Sequence, residues 1–376
     1  MSTIDIVPVE GSALLDRFIR LPERLHRDDR HYVAPLRLER RDALTPKNPF
    51  FGHAEIQFWI ARKDGRDAGR ISAQIDRNAL AVRPDATGQF GMIAAEDDPA
   101  LFQALLTTAG DWLRARGMKR IQGPFNLTIN EEVGLLVDGF DTPPMLLMGH
   151  DKPYAGPHIE GQGYAKEMDV YAYLYDIRVD LPAGARRLVD RPLPPGLTVR
   201  RVDFKRYNDE VRVITEIFND AWRDNWGFVP LTEAETDHLA KSLKPLLDAR
   251  LVSIAEWQGQ PVGFLVCLPN LNEAIRDLGG RLLPFGWAKL LWRLKVAGVK
   301  TARVPLMGIR RSASKSVIGS LLPFLLIDSV RKGAARMGFT HVELSWVLEE
   351  NMPMRRINES LGGVAYKTYR IYAKPL

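Results

Sequence analysis

The side chains able to do chemistry fall into three groups. The first is a basic loop, Arg310-Arg311-Ser312-Ala313-Ser314-Lys315-Ser316-Val317-Ile318-Gly319, just ahead of a long apolar helical pattern. Two arginines, a lysine and several small residues at a helix start suit an anion such as a pyrophosphate. The first backbone amides of a helix lack partners, and its dipole favours negative charge. The second group is acidic: Glu343 inside an apolar run, then Glu349 and Glu350 with Asn351 directly after. The third lies far upstream, in Asn126-Leu127-Thr128-Ile129-Asn130-Glu131-Glu132 and Met148-Gly149-His150-Asp151-Lys152-Pro153-Tyr154. Polar groups of these types after a buried strand either orient an amine or hydroxyl substrate or cap a loop.

Other chemistries are excluded by what is missing. The seven histidines are scattered, with no HExxH or HxH pair, so a zinc hydrolase is not expected and neither is a metal. No GxSxG elbow and no GxxxxGK[ST] loop occurs. A single cysteine, Cys267, rules out an internal disulfide and a cysteine-cluster metal site. No apolar segment follows a basic start, and the most hydrophobic run, Val317 to Ile327, is far short of the roughly 20 residues a membrane span needs. A cytoplasmic protein is expected.

The elements that must position these groups occur twice. At 376 residues the chain suits two domains of about 180 each. Arg178 to Leu197, rich in Pro and Arg and without apolar period, reads as the linker between them. On one side Ile60 opens IARKDGRDAGRI; on the other Ile254 opens IAEWQGQPVGFL, with Gly65 and Gly259 at matching hairpin turns. A long helical pattern follows in each half, Ala100 to Arg116 and Ser320 to Met337, closed by Gly117 or Gly338. Then come an apolar strand (KRIQGPF, THVELSW), a short helix ending E-x-x-G and an aromatic strand (VYAYLYDI, TYRIYAK). Agreement in order across four elements points to a duplicated α/β (α+β) unit of strand, helices, hairpin, strand, long helix, strand, short helix and strand.

That order resembles the GNAT acyltransferase fold. The match covers nearly all of residues 198–376 and, more loosely, 1–177; each half is expected to be a mixed, mostly antiparallel central sheet flanked by helices. The resemblance makes Val304 to Ile309 the fourth strand and His341 to Trp346 the fifth. It implies acyl-CoA as donor substrate, with the pantetheine arm on Met307, Gly308 and Ile309. The pyrophosphate would lie on Arg310, Arg311, Lys315 and Gly319, beside Asn351. The loop departs from the family's [RQ]-x-x-G-x-[GA] pattern, and Asn358 stands where a tyrosine is common. Glu343 and Glu350 are the candidate bases in this half. In the other half Ala94-Ala95-Glu96-Asp97-Asp98-Pro99 sets three acids where phosphates would sit, so 1–177 reads as a degenerate copy on the acceptor side. Asn130, Glu131 and His150 are its candidate site residues.

The runs NEEVGLLVDGF (Asn130 to Phe140) and DNWGFVP (Asp224 to Pro230) are further similar to a tandem-GNAT group that includes bacterial ceramide synthases. That implies transfer of a fatty acyl group to the amine of a long-chain sphingoid base. Arg281 to Arg336 carries twelve Lys or Arg against one acid, Asp328, a net +11 where the whole chain has +6. Within it, residues 282–300 form an amphipathic pattern, with Leu283, Trp287, Leu290, Leu291 and Leu294 on one side, suited to peripheral contact with the inner face of the inner membrane or to core packing. No nucleic-acid partner is expected. Two alternatives stay open: an aminoacyl-tRNA-dependent tandem-GNAT transferase, which the basic segment would suit, and a non-catalytic acyl-CoA-binding module.

Overall fold

The computed structural model describes residues 3–376. The chain divides into two compact units. The first comprises the chain up to Val170, Ile275–Trp287 and Lys367–Leu376; the second comprises Tyr171–Ala274 and Ala288–Tyr366.

In the first unit, β1 (Ile4–Pro8), α1 (Gly11–Leu25) and α2 (Arg37–Ala43) precede the hairpin of β2 (Ala54–Lys63) and β3 (Arg66–Asp76). Asp64 and Gly65 turn that hairpin at φ 50° and 78°, both in the left-handed region, as a two-residue turn matching strand twist requires. There follow α3 (Arg77–Val82), β4 (Thr87–Ala95), α4 (Pro99–Arg114) and β5 (Arg120–Gly123). Strands β1 to β4 pair antiparallel in sequence order, and β4 pairs parallel with β5. Asp98 caps α4 by accepting from the Ala100 amide, with Pro99 at the first turn. One stripe of α4 (Phe102, Leu105, Ala109 and Leu113) is fully buried beside Ile71, Phe90 and Ile121. Burying each large side chain there contributes about 1.5–3 kcal/mol. Short strands β6 (Phe125–Asn126), β7 (Glu132–Val133) and β8 (Leu135–Asp138), then α5 (Ala155–Gly161) and the start of β9 (Ala165–Asp176), complete the first pass of the chain.

The second unit repeats the order. After α6 (Ala183–Val189) come β10 (Leu197–Arg201), α7 (Tyr207–Ala221), α8 (Glu233–Leu243) and the hairpin β11 (Val252–Trp257) and β12 (Gln260–Pro269), turned by Gln258 and Gly259 at φ 50° and 77°. Helices α9 (Leu271–Ile275) and α10 (Gly286–Trp292) lead into β13 (Thr301–Ile309), α11 (Arg311–Ser314), α12 (Val317–Arg336), β14 (His341–Leu348), α13 (Met352–Ser360) and β15 (Val364–Pro375). Strands β10 to β13 pair antiparallel, and β13 pairs parallel with β14. Leu322, Leu326 and Ala334 of α12 sit fully buried in a core with Leu265, Cys267 and Ala302.

The boundaries differ from the expected 1–177, 178–197 and 198–376 in two places. Residues 178–197 are not a bare linker: they hold α6, and Leu181 and Ala185 are buried in the second unit's core. The last ten residues group with the first unit instead, because Tyr372–Pro375 of β15 pair antiparallel with Gly123–Arg120 of β5. Strand periodicity identifies an element but says nothing about which sheet edge it joins.

Candidate active site

In the second unit β13 and β14 are paired only from Thr301↔His341 to Val304↔Leu344. Beyond that point β13 runs on to Ile309 against β12 alone, and the two parallel strands part. The parting opens a cavity of about 340 Å³, at the small end of ligand pockets. β13 contributes Pro305, Met307, Gly308 and Ile309 to its lining, and β14 contributes Ser345, Trp346 and Val347. Trp222 and Asn225, from the DNWGFVP region and its approach, also line it. The Trp222 indole donates to the Met307 carbonyl (3.0 Å) and meets Trp346 edge-on at 5.7 Å. From α13 come Asn351, whose side chain also caps that helix, and Asn358. Asn358 is 1% exposed, and its Nδ2 has no hydrogen-bond partner among the described residues. A buried donor left this way is costly, and a bound acceptor would relieve it.

Glu343 lies behind the Ser345 wall. Glu343 and Ser345 are two apart on β14 and therefore share a face. Arg303 is Glu343's register partner on β13. Glu343 is 0% exposed, Arg303 3% and Ser345 4%, so a full charge pair is buried together. Arg303 Nε donates to Ser345 Oγ (2.8 Å) and stands 3.5 Å from Glu343 Oε1; the Ser345 hydroxyl donates to Glu343 Oε1, and the Tyr366 hydroxyl to Oε2. Buried ions survive only when paired and hydrogen-bonded this fully. Ser345 thus commits its proton to Glu343 and one lone pair to Arg303. Ser345 also belongs to the cavity lining. Glu350, the other candidate base, is exposed in the turn after β14 and is not part of the cavity lining.

The basic loop is folded as α11 and the start of α12. Ser316 caps the 20-residue α12 by accepting from the Gly319 amide (3.1 Å), and Gly319 is obligatory because a Cβ there would meet the Ala313 carbonyl at 2.2 Å. Arg310 donates to Pro261 O (2.9 Å) and Glu216 (3.2 Å), Arg311 to Asp224 (2.9 Å), and Lys315 is exposed. Surface ion pairs of this exposure contribute little.

The first unit closes the equivalent opening. Pairing of β4 with β5 ends at Gln89↔Gln122, and residues 125–127 then fill the space. Asn126 Oδ1 accepts from the Met92 amide (2.7 Å), Gln74 Nε2 donates to the carbonyls of Phe125 (2.8 Å) and Leu127 (3.0 Å), and a Cβ on Gly91 would meet Phe125 O at 1.9 Å. Its acidic turn is also occupied: Glu96 pairs with Arg24 and Arg66, and Asp98 caps α4 and holds Lys63. Of the residues expected here, Asn130 receives its order from Thr128 Oγ1 (2.8 Å to its amide), and Glu131 accepts from Asn48 (3.4 Å). Burial raises Glu131 to about 7 against the pull of Arg40 and Asn48. His150 is elsewhere, 3.0 Å from Asp29.

Four partners escaped the sequence reading: Arg303, Ser345 and Tyr366 in the second unit, and Asp29 in the first. An arginine and a glutamate buried in two neighbouring apolar strands were the available signal for the first of these. The 282–300 segment also departs from expectation. It is a short helix, Gly286–Trp292, followed by one π turn, Arg293–Ala297. Leu290 and Leu294 pack on the second unit's core, whereas Leu283, Phe285, Trp287, Leu291, Trp292 and Val296 are 50–78% exposed. No helix among the described residues is long and apolar enough to cross a membrane.

No family model matches the chain. Among solved structures it is similar to a tandem GNAT protein from the clavulanic acid biosynthesis pathway, with TM-score 0.59, 13% identity and coverage of 99% and 98% of the two chains. It is likewise similar to a GCN5-related N-acetyltransferase from Sphaerobacter thermophilus, with TM-score 0.56, 14% identity and coverage of 99% and 95%. These likenesses establish the tandem GNAT fold. Among curated proteins it is 46% identical over 364 residues to Protein YghO of Escherichia coli K12, covering 96% of this chain and 93% of that one. It is 57% identical over 379 residues to the bacterial ceramide synthase of Caulobacter vibrioides, covering 99% and 98%. The chain belongs to the bacterial ceramide synthase family.

Proposed function

We propose that this acyltransferase moves a fatty acyl group from acyl-CoA to the amine of a long-chain sphingoid base, and that the second unit carries the chemistry. The full-length relationship to the Caulobacter enzyme carries the substrate class. The parted strands of the second unit support the location, since β13 there offers backbone at Met307, Gly308 and Ile309 to a pantetheine arm, next to the unpartnered Asn358 amide. Arg310, Arg311 and Lys315 at the start of α12 would meet the CoA phosphates, beside Gly319 and Asn351.

In the reaction the amine nitrogen attacks the thioester carbonyl, the C–N bond forms, the C–S bond breaks and CoA leaves as the thiolate. The amine gives up its proton to Ser345 Oγ as the Ser345 proton passes to Glu343; Arg303 and Tyr366 hold that carboxylate in place. The proton then returns to the thiolate. Asn130, Glu131 and His150 are assigned to the acceptor side of the protein as groups that order the first unit. The exposed run Leu283, Phe285, Trp287, Leu291, Trp292 and Val296 with Lys289 and Lys295 suits the headgroup layer of an anionic membrane, where both substrates partition.

The test is incubation of purified protein with a fatty acyl-CoA and a long-chain sphingoid base. The expected result is one N-acyl product per CoA released, detected by mass spectrometry. CoA release without an amide product overturns the reading. For the membrane contact, wild type should float with anionic vesicles while a folded Trp287→Glu, Trp292→Glu variant stays behind; wild type remaining in the dense fraction at low salt overturns that part.

A further inference from the structure

The first unit holds a cluster apart from the Glu343, Ser345 and Arg303 network. His26 ends α1, Asp29 sits in the next turn, and His150 lies in the loop ahead of α5. His26 Nδ1 is 3.5 Å and His150 Nε2 is 3.0 Å from the same oxygen, Asp29 Oδ2, and the three atoms lie within 4.8 Å of one another. The two imidazoles are 4% and 2% exposed. Four-coordinate zinc, with bonds of about 2.0–2.1 Å, sets its donor atoms about 3.3 Å apart, and the two separations bracket that spacing.

Two imidazoles and one carboxylate are a donor set that a zinc-type ion takes. The cluster also joins distant segments, since Asp29 and His150 are 121 residues apart in sequence.

Two features temper the affinity. Lys152 Nζ stands 4.0 Å from Asp29 Oδ2 and competes for that oxygen. His150 Nδ1 is buried with no partner among the described residues, whereas a metal-bound histidine ordinarily anchors its second nitrogen, a contact worth about 10–100-fold in affinity.

We propose that His26, Asp29 and His150 bind one divalent transition-metal ion of the zinc type, clamping the turn after α1 to the loop ahead of α5. The site does not depend on the acyl-transfer reading. Protein stripped with a chelator is titrated with Co2+, followed by the strong visible absorption of four-coordinate cobalt, and the cobalt is then displaced with Zn2+. One equivalent is expected, with a raised melting temperature. His26→Ala and His150→Ala should bind at least about tenfold more weakly, and Lys152→Ala several-fold more tightly. Where an alanine variant does not fold, His26→Gln or His150→Gln replaces it. Cobalt that stays six-coordinate, or binds wild type and the histidine variants alike, overturns the proposal. So does a Lys152→Ala protein with unchanged affinity.

Discussion

The two units have the same order of elements and opposite fates at the same place. In the second, β13 and β14 part after four paired residues and leave a cavity walled by Met307–Ile309 and Ser345. In the first, β4 and β5 part after three, and residues 125–127 enter the gap, held by Asn126 on the Met92 amide and by Gln74 on two carbonyls. A strand edge freed by divergence must bond something. One copy satisfies it internally and the other keeps an open cavity there, so a few side chains decide between a filled and an open groove while the fold stays the same.

The largest effect on this contrast is expected at Glu343. Glu343→Gln keeps the shape and removes the proposed proton acceptor, so turnover should fall about 10²–10⁴-fold. Ser345→Ala should fall in the same direction by less, with acyl-CoA binding retained. A Glu343→Gln enzyme with a full rate would restrict the network to structure and turn attention to exposed Glu350.

Charge reversal in the basic loop comes next. Arg311→Glu with Lys315→Glu should weaken acyl-CoA binding about 10–100-fold with little change in the maximal rate, as expected for loss of charge-assisted hydrogen bonds. Reversal at Glu96 and Asp97 in the first unit should leave that binding untouched. Equal losses from both pairs, read by calorimetry, would erase the contrast between the units.

Asn126→Ala probes the closed copy directly. It leaves the buried Met92 amide without its acceptor and should cost about 1–3 kcal/mol in denaturant unfolding. Acyl-CoA stoichiometry should stay at one per chain.

The smallest effect is expected at Glu131, which titrates near 4.5 unfolded and about 7 folded. Between those values the unfolded chain binds fewer protons, so stability falls as pH rises from about 4.5 to 7. Glu131→Gln should therefore exceed wild type in stability at pH 8 by about 1 kcal/mol, and the gap should vanish below pH 4.5. The full shift would imply about 3 kcal/mol, but the residue keeps an exposed edge.

Local pattern alone was enough for much of this protein. The hairpins turned at Gly65 and Gly259, the helix ends at Gly117 and Gly338, and the acid-rich turn against the basic loop are all legible because period, turn chemistry and charge act within a few residues, whereas Met307–Ile309 as a cavity wall was implied by the family resemblance. The composition of the sites was not. Glu343 becomes a buried network only when Arg303 is its register partner and Tyr366 returns from the end of the chain, and His150 meets His26 and Asp29 only across 121 residues. The same holds for the final strand, legible as a strand from its aromatic alternation but joined to β5 of the first unit. Backbone and side-chain periods are short-range quantities. Which distant segments share a sheet edge or a buried oxygen depends on the packing of whole units, and that is a property of the tertiary structure.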